Sequence, residues 1–424
     1  MPMSLASPTT RDLLRLTLTP GLGPILIARL IHSLGSPSAV IQANEHTLRS
    51  VKGIGDERAR AIVRGLADSD RLADSELKLA SQLGVRLLGI TEPDYPPLLR
   101  QIPDAPPLLY IRGHIDHATL DQYTIALVGS RSCTLYGTEQ ADRFALGLAQ
   151  SGLTIVSGGA RGIDTAAHRA ALRVNGRTLV VLGCGLSHCY PPDNQDLFDT
   201  IAGLPDGHPR GAIISELPLN TPPTAENFPA RNRIISGLSL GVLVIEAGRR
   251  SGALITARVA VEEHGREVFA LPARVDSAAS FGSLDLLKSG GAAMVTHPDD
   301  ILSALESPAR HLHGGTHEAR FSRTESERPL TEHASDVTSS PSSGTPTLFP
   351  PTPLSPHPSP RPSPRDATLS PSQSAILAAL DEPRSLDDLA RIITIEPSAL
   401  RADITILEIR RRLERRGSLV ARKP

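Results

Sequence analysis

The stretch LTIVSGGARGIDTAAHRAALRVNGRTLVVLGCG, residues 153–185, decides the fold. Its two apolar runs, TIV and TLVV, are short, β-branched and without in–out alternation, so each reads as a strand buried on both faces. Between them GIDTAAHRAALRVNG places small and apolar residues at helical spacing. Strand, helix and strand in this order build a parallel sheet covered by helices.

The same rhythm continues outward. YTIALVGS (123–130), GAIISE (211–216), GVLVIEA (241–247), REVFALPA (266–273) and AAMV (292–295) read as strands. GTEQADRFALGLAQSG (137–152), RNRIISGLSL (231–240), SGALITARVAVEEHG (251–265) and GSLDLLKSGG (282–291) read as the intervening helices. The expected fold class is α/β, with a Rossmann-like parallel sheet core at residues 89–305. Before the first of these strands, ITEPDYPPLLRQIPDAPPLLYIRG (90–113) is too proline-rich for a long helix, though PLLYIRG can add a strand.

Both ends of the chain differ from this core. Residues 1–88 are expected to form a small helical, helix-hairpin-helix (SAM-like) domain. LTPGLGPILIARLIHSLG (18–35) and VKGIGDERARAIVRGL (51–66) each carry an apolar residue, Gly-x-Gly and then a helix. Such a turn exposes backbone N–H groups that can hold a DNA phosphate. A tight turn in a small bundle explains the first unit equally well. The second has Lys52, Arg58, Arg60 and Arg64 nearby. Residues 306–369, including SSPSSGTPTLFPPTPLSPHPSPRPSPR, read as a disordered Pro/Ser linker. Residues 370–424 suggest three helices and a hairpin, a winged helix. In its third helix (398–417) Leu400, Ile404 and Leu407 form the core stripe, and Arg410, Arg411, Arg412, Arg415 and Arg416 lie near the end. Two readings of that cluster stand side by side: phosphate contact in a groove, or cations favoured by the helix dipole in a protein-contact domain.

Across 424 residues, 44 Lys and Arg offset 45 Asp and Glu, leaving a formal net charge of -1, so nucleic-acid binding requires local clusters rather than a polycationic surface. Cys133, Cys184 and Cys189 have neither the number nor the context of a disulfide scaffold. His188 sits between the last two, but no second ligand pair appears, so ordinary thiols are expected and no metal. The N-terminus lacks a basic start followed by an apolar core, and no window approaches eighteen uncharged apolar residues. A cytoplasmic protein without a membrane segment is expected.

Ligands of parallel α/β sheets sit beyond the C-terminal ends of the strands. The residues expected there are Gly129, Ser130 and Arg131, then Ser157, Gly158 and Arg161. Arg231, Asn232 and Arg233 precede the GVLVIEA strand, and Ser251 and Gly252 follow it. Glycines admit close backbone approach, hydroxyls and helix N-termini donate, and arginines supply charge and a planar fork. This is equipment for phosphate. The dinucleotide fingerprint is missing from GSRSCTLYG (129–137), and no G-x-x-x-x-G-K-[ST] is present, so no nucleotide cofactor is expected. Several anion contacts in a row suit a chain of phosphates. Asp164 and His168, one helical turn apart, lack an evident nucleophile, so structural roles are expected: Asp164 accepting backbone N–H groups or bracing Arg161. Glu216 and Glu246 are expected to brace arginines. Tyr136, Tyr190 and Phe228 are expected to pack.

These segments together resemble the DNA-processing protein A family (DprA, also called Smf). The resemblance spans nearly the whole chain and is strongest in IALVGSR, TIVSGGARGIDTAAHRAAL, TLVVLGCGLSHCYPPDNQDL, FPARNRIISGLSLGVLVIEA and SGALITARVAVEEHGREVFALPA. It implies a non-catalytic mediator that dimerises, binds single-stranded DNA in a basic pocket and loads a RecA-type recombinase in natural transformation. The pocket residues it implies are Gly129, Ser130, Arg131, Ser157, Gly158, Arg161, Arg231, Asn232 and Arg233. Arg161 stands where the family often has lysine, Gly159 where leucine is usual, and Ala273 where glycine is usual. Two rival readings remain: a nucleotide-processing Rossmann-like hydrolase, whose P-G-G-x-G-T-x-x-E is absent, and a duplex-binding winged-helix regulator.

Overall fold

In the computed structural model of the protein, the residues described are 7–313 and those of 371–422 other than 381, 383, 394–399, 401–403, 405–406, 408–411 and 417–418. The chain divides into two units, residues 1–331 and 332–424.

The first unit opens with helices α1 (Pro8–Thr17), α2 (Pro24–Leu34), α3 (Pro37–Gln42), α4 (Glu45–Arg49) and α5 (Asp56–Gln82). Helix α1 starts where the sequence signals it, with the Ser7 hydroxyl accepting the Thr10 N–H and a proline in the first turn. The two Gly-x-Gly turns lead into α2 and α5, and Gly21 and Gly53 sit at φ of 82° and 92°, where a side chain would be strained. Leu16, Ile27, Leu30, Ile62 and Leu66 close a core of their own between these helices.

The sheet follows. Its elements are β1 (Arg86–Gly89), α6 (Pro97–Arg100), β2 (Leu108–Gly113), β3 (Thr124–Val128), α7 (Leu135–Gln150), β4 (Thr154–Ser157), α8 (Ile163–Arg173), β5 (Thr178–Val181) and α9 (Gln195–Ala202). Then come β6 (Gly211–Ser215), α10 (Asn227–Gly237), β7 (Gly241–Val244), α11 (Gly252–Glu262), β8 (Glu267–Ala270), α12 (Phe281–Lys288), β9 (Ala293–Met294) and α13 (Pro298–His313). The strand order is β1-β2-β6-β5-β4-β3-β7-β8-β9. Strands β3 to β9 are parallel, and β1 and β2 are antiparallel additions beside β6. The chain enters the parallel sheet at β3, winds out through β4 and β5 to β6, and returns to pair β7 with β3, Val128 opposite Val244. The strand order therefore reverses between β3 and β7, the place where such sheets open a crevice.

Two expected borders shift. Strand β1 straddles the border at 88/89, and Leu14, Ala73 and Ala80 of the first helices share one core with Leu87, Leu108 and Tyr110 of β1 and β2. The helical beginning is thus bonded into the sheet's edge by apolar packing. Helix α13 carries regular structure through residue 313, past the expected linker start at 306. The rest of the Pro/Ser segment lies outside the described residues.

In the second unit, helices Pro371–Ala378 and Leu386–Ile393 accompany a three-stranded sheet of β10 (Arg384–Ser385), β12 (Leu419–Arg422) and β11 (Leu413–Arg416), in that order. Leu400, Ile404 and Leu407 are buried with Ile376, Leu389 and Val420, as their spacing predicts. The winged-helix fold is present. One detail differs: LERR at 413–416 pairs antiparallel with 419–422, so Arg415 and Arg416 lie in the wing and not on the third helix. Arg410 and Arg411 lie outside the described residues. Among the described residues no helix is long and apolar enough to cross a membrane.

Candidate nucleic-acid interface

A cleft of about 700 Å³ opens over the β3/β7 junction. One wall is the turn after β3. Its Ser130 N–H donates to the Glu246 carbonyl at 2.7 Å, which draws the turn against the end of β7. Gly129 allows that approach, because a Cβ there would lie 2.5 Å from Ile163. Glu246 was expected to brace an arginine. Instead its carboxylate accepts the Thr134 N–H and hydroxyl, both at 2.7 Å, and pins the start of α7.

The opposite wall is the turn after β7 and the N-terminus of the eleven-residue α11. Ser251 caps this helix, accepting the Ala253 N–H at 3.3 Å, and Gly252 leaves open space above the first turn. Free N–H groups and the dipole favour an anion at such an end. Helix α10 forms the third side. Asn232 donates to the Gly252 carbonyl at 3.3 Å and ties α10 to α11. Phe228 and Tyr190 line the cleft, their rings 5.4 Å apart, and the Arg131 guanidinium stands 4.9 Å from the Phe228 centroid. Both aromatics were expected to be packing residues, and both face the opening. Tyr136, also expected to pack, is exposed away from the cleft, its hydroxyl donating to the Pro272 carbonyl at 2.9 Å.

The arginines sort into two kinds. Arg131 and Arg250 are exposed, line the cleft, and have no carboxylate within ion-pair distance among the described residues. Arg250 was not singled out from the sequence; its neighbour in GRRSG, Arg249, pairs with Asp285 at 3.0 Å. Arg231 lies beneath the floor, 5% exposed. It donates to the Gly158 carbonyl at 2.8 Å and to that of Val181. Asp164 beside it accepts the N–H groups of Gly158 at 3.1 Å and Ala160 at 3.2 Å. Burial pulls the Arg231 pKa down to about 10, so it remains a cation at neutral pH; burial also pushes Asp164 up, against the opposing pull of Arg231. Of its two expected roles, Asp164 takes the first, holding the turn after β4 by its N–H groups, while Arg161 pairs elsewhere. A Cβ on Gly158 would lie 2.6 Å from an Arg231 nitrogen, so only glycine fits there.

Of the residues expected at the rim, the cleft gathers Gly129, Ser130, Arg131, Arg231, Asn232, Ser251 and Gly252. It does not gather four others. Ser157 is buried and donates to the Leu127 carbonyl at 2.6 Å, and Gly158 lies next to it under Arg231. Arg233 faces away along α10, paired with Asp104 at 2.9 Å and with Glu216. Arg161 pairs with Asp193 at 2.7 Å in a separate groove.

His168 is buried, its Nδ1 2.6 Å from the Thr178 hydroxyl, and burial holds its pKa down to about 3. It is a neutral packing group with no nucleophile at hand. All three cysteines are free thiols, and burial pushes Cys184 up to about 11. Among the described residues no group of three or more His, Cys, Asp or Glu could hold a metal ion.

A doubly wound sheet with an open basic cleft at its switch point, in a chain that also carries a helical N-terminal region and a separate winged-helix unit, defines a Rossmann-like multidomain protein. The chain belongs to the DNA recombination-mediator protein A family, whose model matches residues 86–306. Residues 11–68 match a SAM-like helix-hairpin-helix tandem and residues 358–417 the DprA winged helix domain. Protein Smf of Synechocystis is 40% identical over 67% of this chain and 70% of its own length. Protein Smf of Escherichia coli is 45% identical over 58% of this chain and 64% of its own. The crystal structure of DNA processing protein A from Streptococcus pneumoniae superposes with a TM-score of 0.60 at 33% identity, covering 70% of this chain and 98% of that one.

Proposed function

We propose that the cleft binds single-stranded DNA by its backbone, independently of sequence and without altering it. The observation that carries this reading is the pair of unneutralised arginines, Arg131 and Arg250, facing hydroxyls and helix-terminal N–H groups across one open cleft. Such donors address phosphates, which carry no sequence information. Phe228 and Tyr190 add a surface on which bases can stack without selecting among them. The contacts are assigned to Gly129, Ser130, Arg131, Asn232, Ser251 and Gly252, with Arg250, Phe228 and Tyr190. Arg231, Ser157 and Gly158 shape the floor. A duplex is a poorer fit, because its bases are stacked inside and cannot reach the aromatic wall.

Within the family the role that follows is that of a cytoplasmic mediator. A homodimer holds incoming single strands and passes them to a RecA-type recombinase during transformation and recombination. The test is a fluorescence-anisotropy titration of the full chain with single-stranded and duplex oligonucleotides at several salt concentrations. Arg131→Glu is expected to fold normally and to lose single-strand binding. Unchanged affinity, or turnover of a nucleoside monophosphate by the parent protein, overturns the reading.

A further inference from the structure

Beside the cleft lies a second groove of about 420 Å³, on the outer face of α7 and α8. Arg161, Arg169 and Arg173 line it together with Asp142 and Asp193. The two depressions are neighbours. Ala160 and Tyr190 line the cleft, while Arg161, Gly162 and Asp193, a few residues on, line the groove. Between them the main chain at Gly162 packs directly against the turn after β3: a Cβ on it would fall 2.4 Å from the Ser130 carbonyl oxygen.

The groove's cations are available to an anion. Arg169 is exposed and has no carboxylate partner among the described residues. Arg161 pairs with Asp193 and Arg173 with Asp142, but the arginine side chains are 61% and 52% exposed. Ion pairs so exposed to water contribute little, so a phosphate can replace the carboxylate. Arg169 and Arg173 stand one turn apart on α8, about 6 Å along its axis, so they form a row leading away from the cleft.

We infer that a strand held in the cleft crosses the ridge at residues 160–162 and continues down this groove, its phosphates meeting Arg161, Arg169 and Arg173. The inference rests on the reading of the cleft given above, and its occupant is the same strand. The groove is open and five of its ten lining residues are charged, which suits a backbone and not a small ligand.

The test compares oligothymidylates of roughly 5 and roughly 20 nucleotides, spanning one binding patch and more than one. The full-length double variant Arg169→Glu, Arg173→Glu is used, with Arg131→Glu as reference. Both groove residues are exposed, so normal thermal unfolding is expected. The short oligonucleotide should bind as to the parent. The long one should bind roughly tenfold more weakly, with a salt slope shallower by about 1.4, two single-strand contacts at about 0.7 each. Unchanged affinity and slope for the long oligonucleotide overturn the inference alone. Unchanged DNA binding with impaired hand-over to a recombinase also overturns it, in favour of a protein surface. Binding of either length that survives Arg131→Glu sinks the cleft reading and the continuity with it.

Discussion

Arg131 in the wall and Arg231 in the floor serve one cleft, and their surroundings make them opposite things. Arg131 stands in water over a phenyl ring, with no carboxylate among the described residues to neutralise it. Arg231 is sealed under the floor, bound to two main-chain carbonyls beside a buried aspartate. The first can exchange water for a phosphate at little cost. The second has already lost its water, and its charge serves to join α10 to the ends of β4 and β5. An arginine's role here is set by what is left to satisfy it, not by its position at a strand end.

The sharpest test of that contrast is Arg231→Met. Removing the guanidinium leaves the Gly158 and Val181 carbonyls without their donor and Asp164 without the cation that opposes its burial, so a loss of about 3 kcal/mol is expected in urea unfolding. Adding Asp164→Leu should recover part of the loss, because the two sites are coupled. A near-neutral Arg231→Met would break the comparison by showing that the buried arginine is dispensable.

Acidification probes the same interior layer. The His168 pKa falls from its ordinary 6.5 to about 3 in the folded protein. A group depressed in this way contributes stability that is present above its unfolded pKa and is lost as pH falls, because only the unfolded chain takes up the proton. Between pH 6.5 and 5 the loss should reach about 2 kcal/mol. His168→Leu should remove that slope and leave the contribution of the carboxylates, which chemical denaturation at a series of pH values would resolve.

On the exposed side the expected stability effects nearly vanish. Arg131→Ala and Arg250→Ala should each change stability by no more than about 0.5 kcal/mol. Each should weaken single-strand binding and reduce the salt slope by about 0.7. A slope that stays fixed while stability falls would place the residue with Arg231 instead.

Much of this was legible in the residues. Buried parallel strands announce themselves as short β-branched runs, so β3 to β8 fall where the runs do. The crevice follows from where the glycine and serine turns sit. What stayed hidden was pairing. The sequence sets Arg161 and Arg233 at the cleft itself because it displays charge without the carboxylates that folding places beside them. Asp193 is 32 residues from Arg161, and Glu216 and Asp104 reach Arg233 only after folding. Arg250 was overlooked within GRRSG because nothing local tells it from Arg249, which Asp285 neutralises from α12. Strand β1 gives no signal in the sequence, because RLLG is four residues long and stands three residues after a 27-residue charged helix. Phe228 and Tyr190 read as packing residues because nothing in a sequence tells a ring at a cleft from a ring in a core.

The shared core at β1 and β2 has a practical consequence. A truncated protein beginning at residue 89 would lack α1 and α5, uncovering Leu108 and Tyr110, and would strip β1 from β2. That leaves a raw apolar margin with unpaired peptide groups, the geometry that seeds edge-to-edge association. Aggregates of such a fragment would report on the cut and not on how the intact molecule assembles. A deletion meant to isolate the sheet should therefore keep the helical beginning, from residue 7 onward.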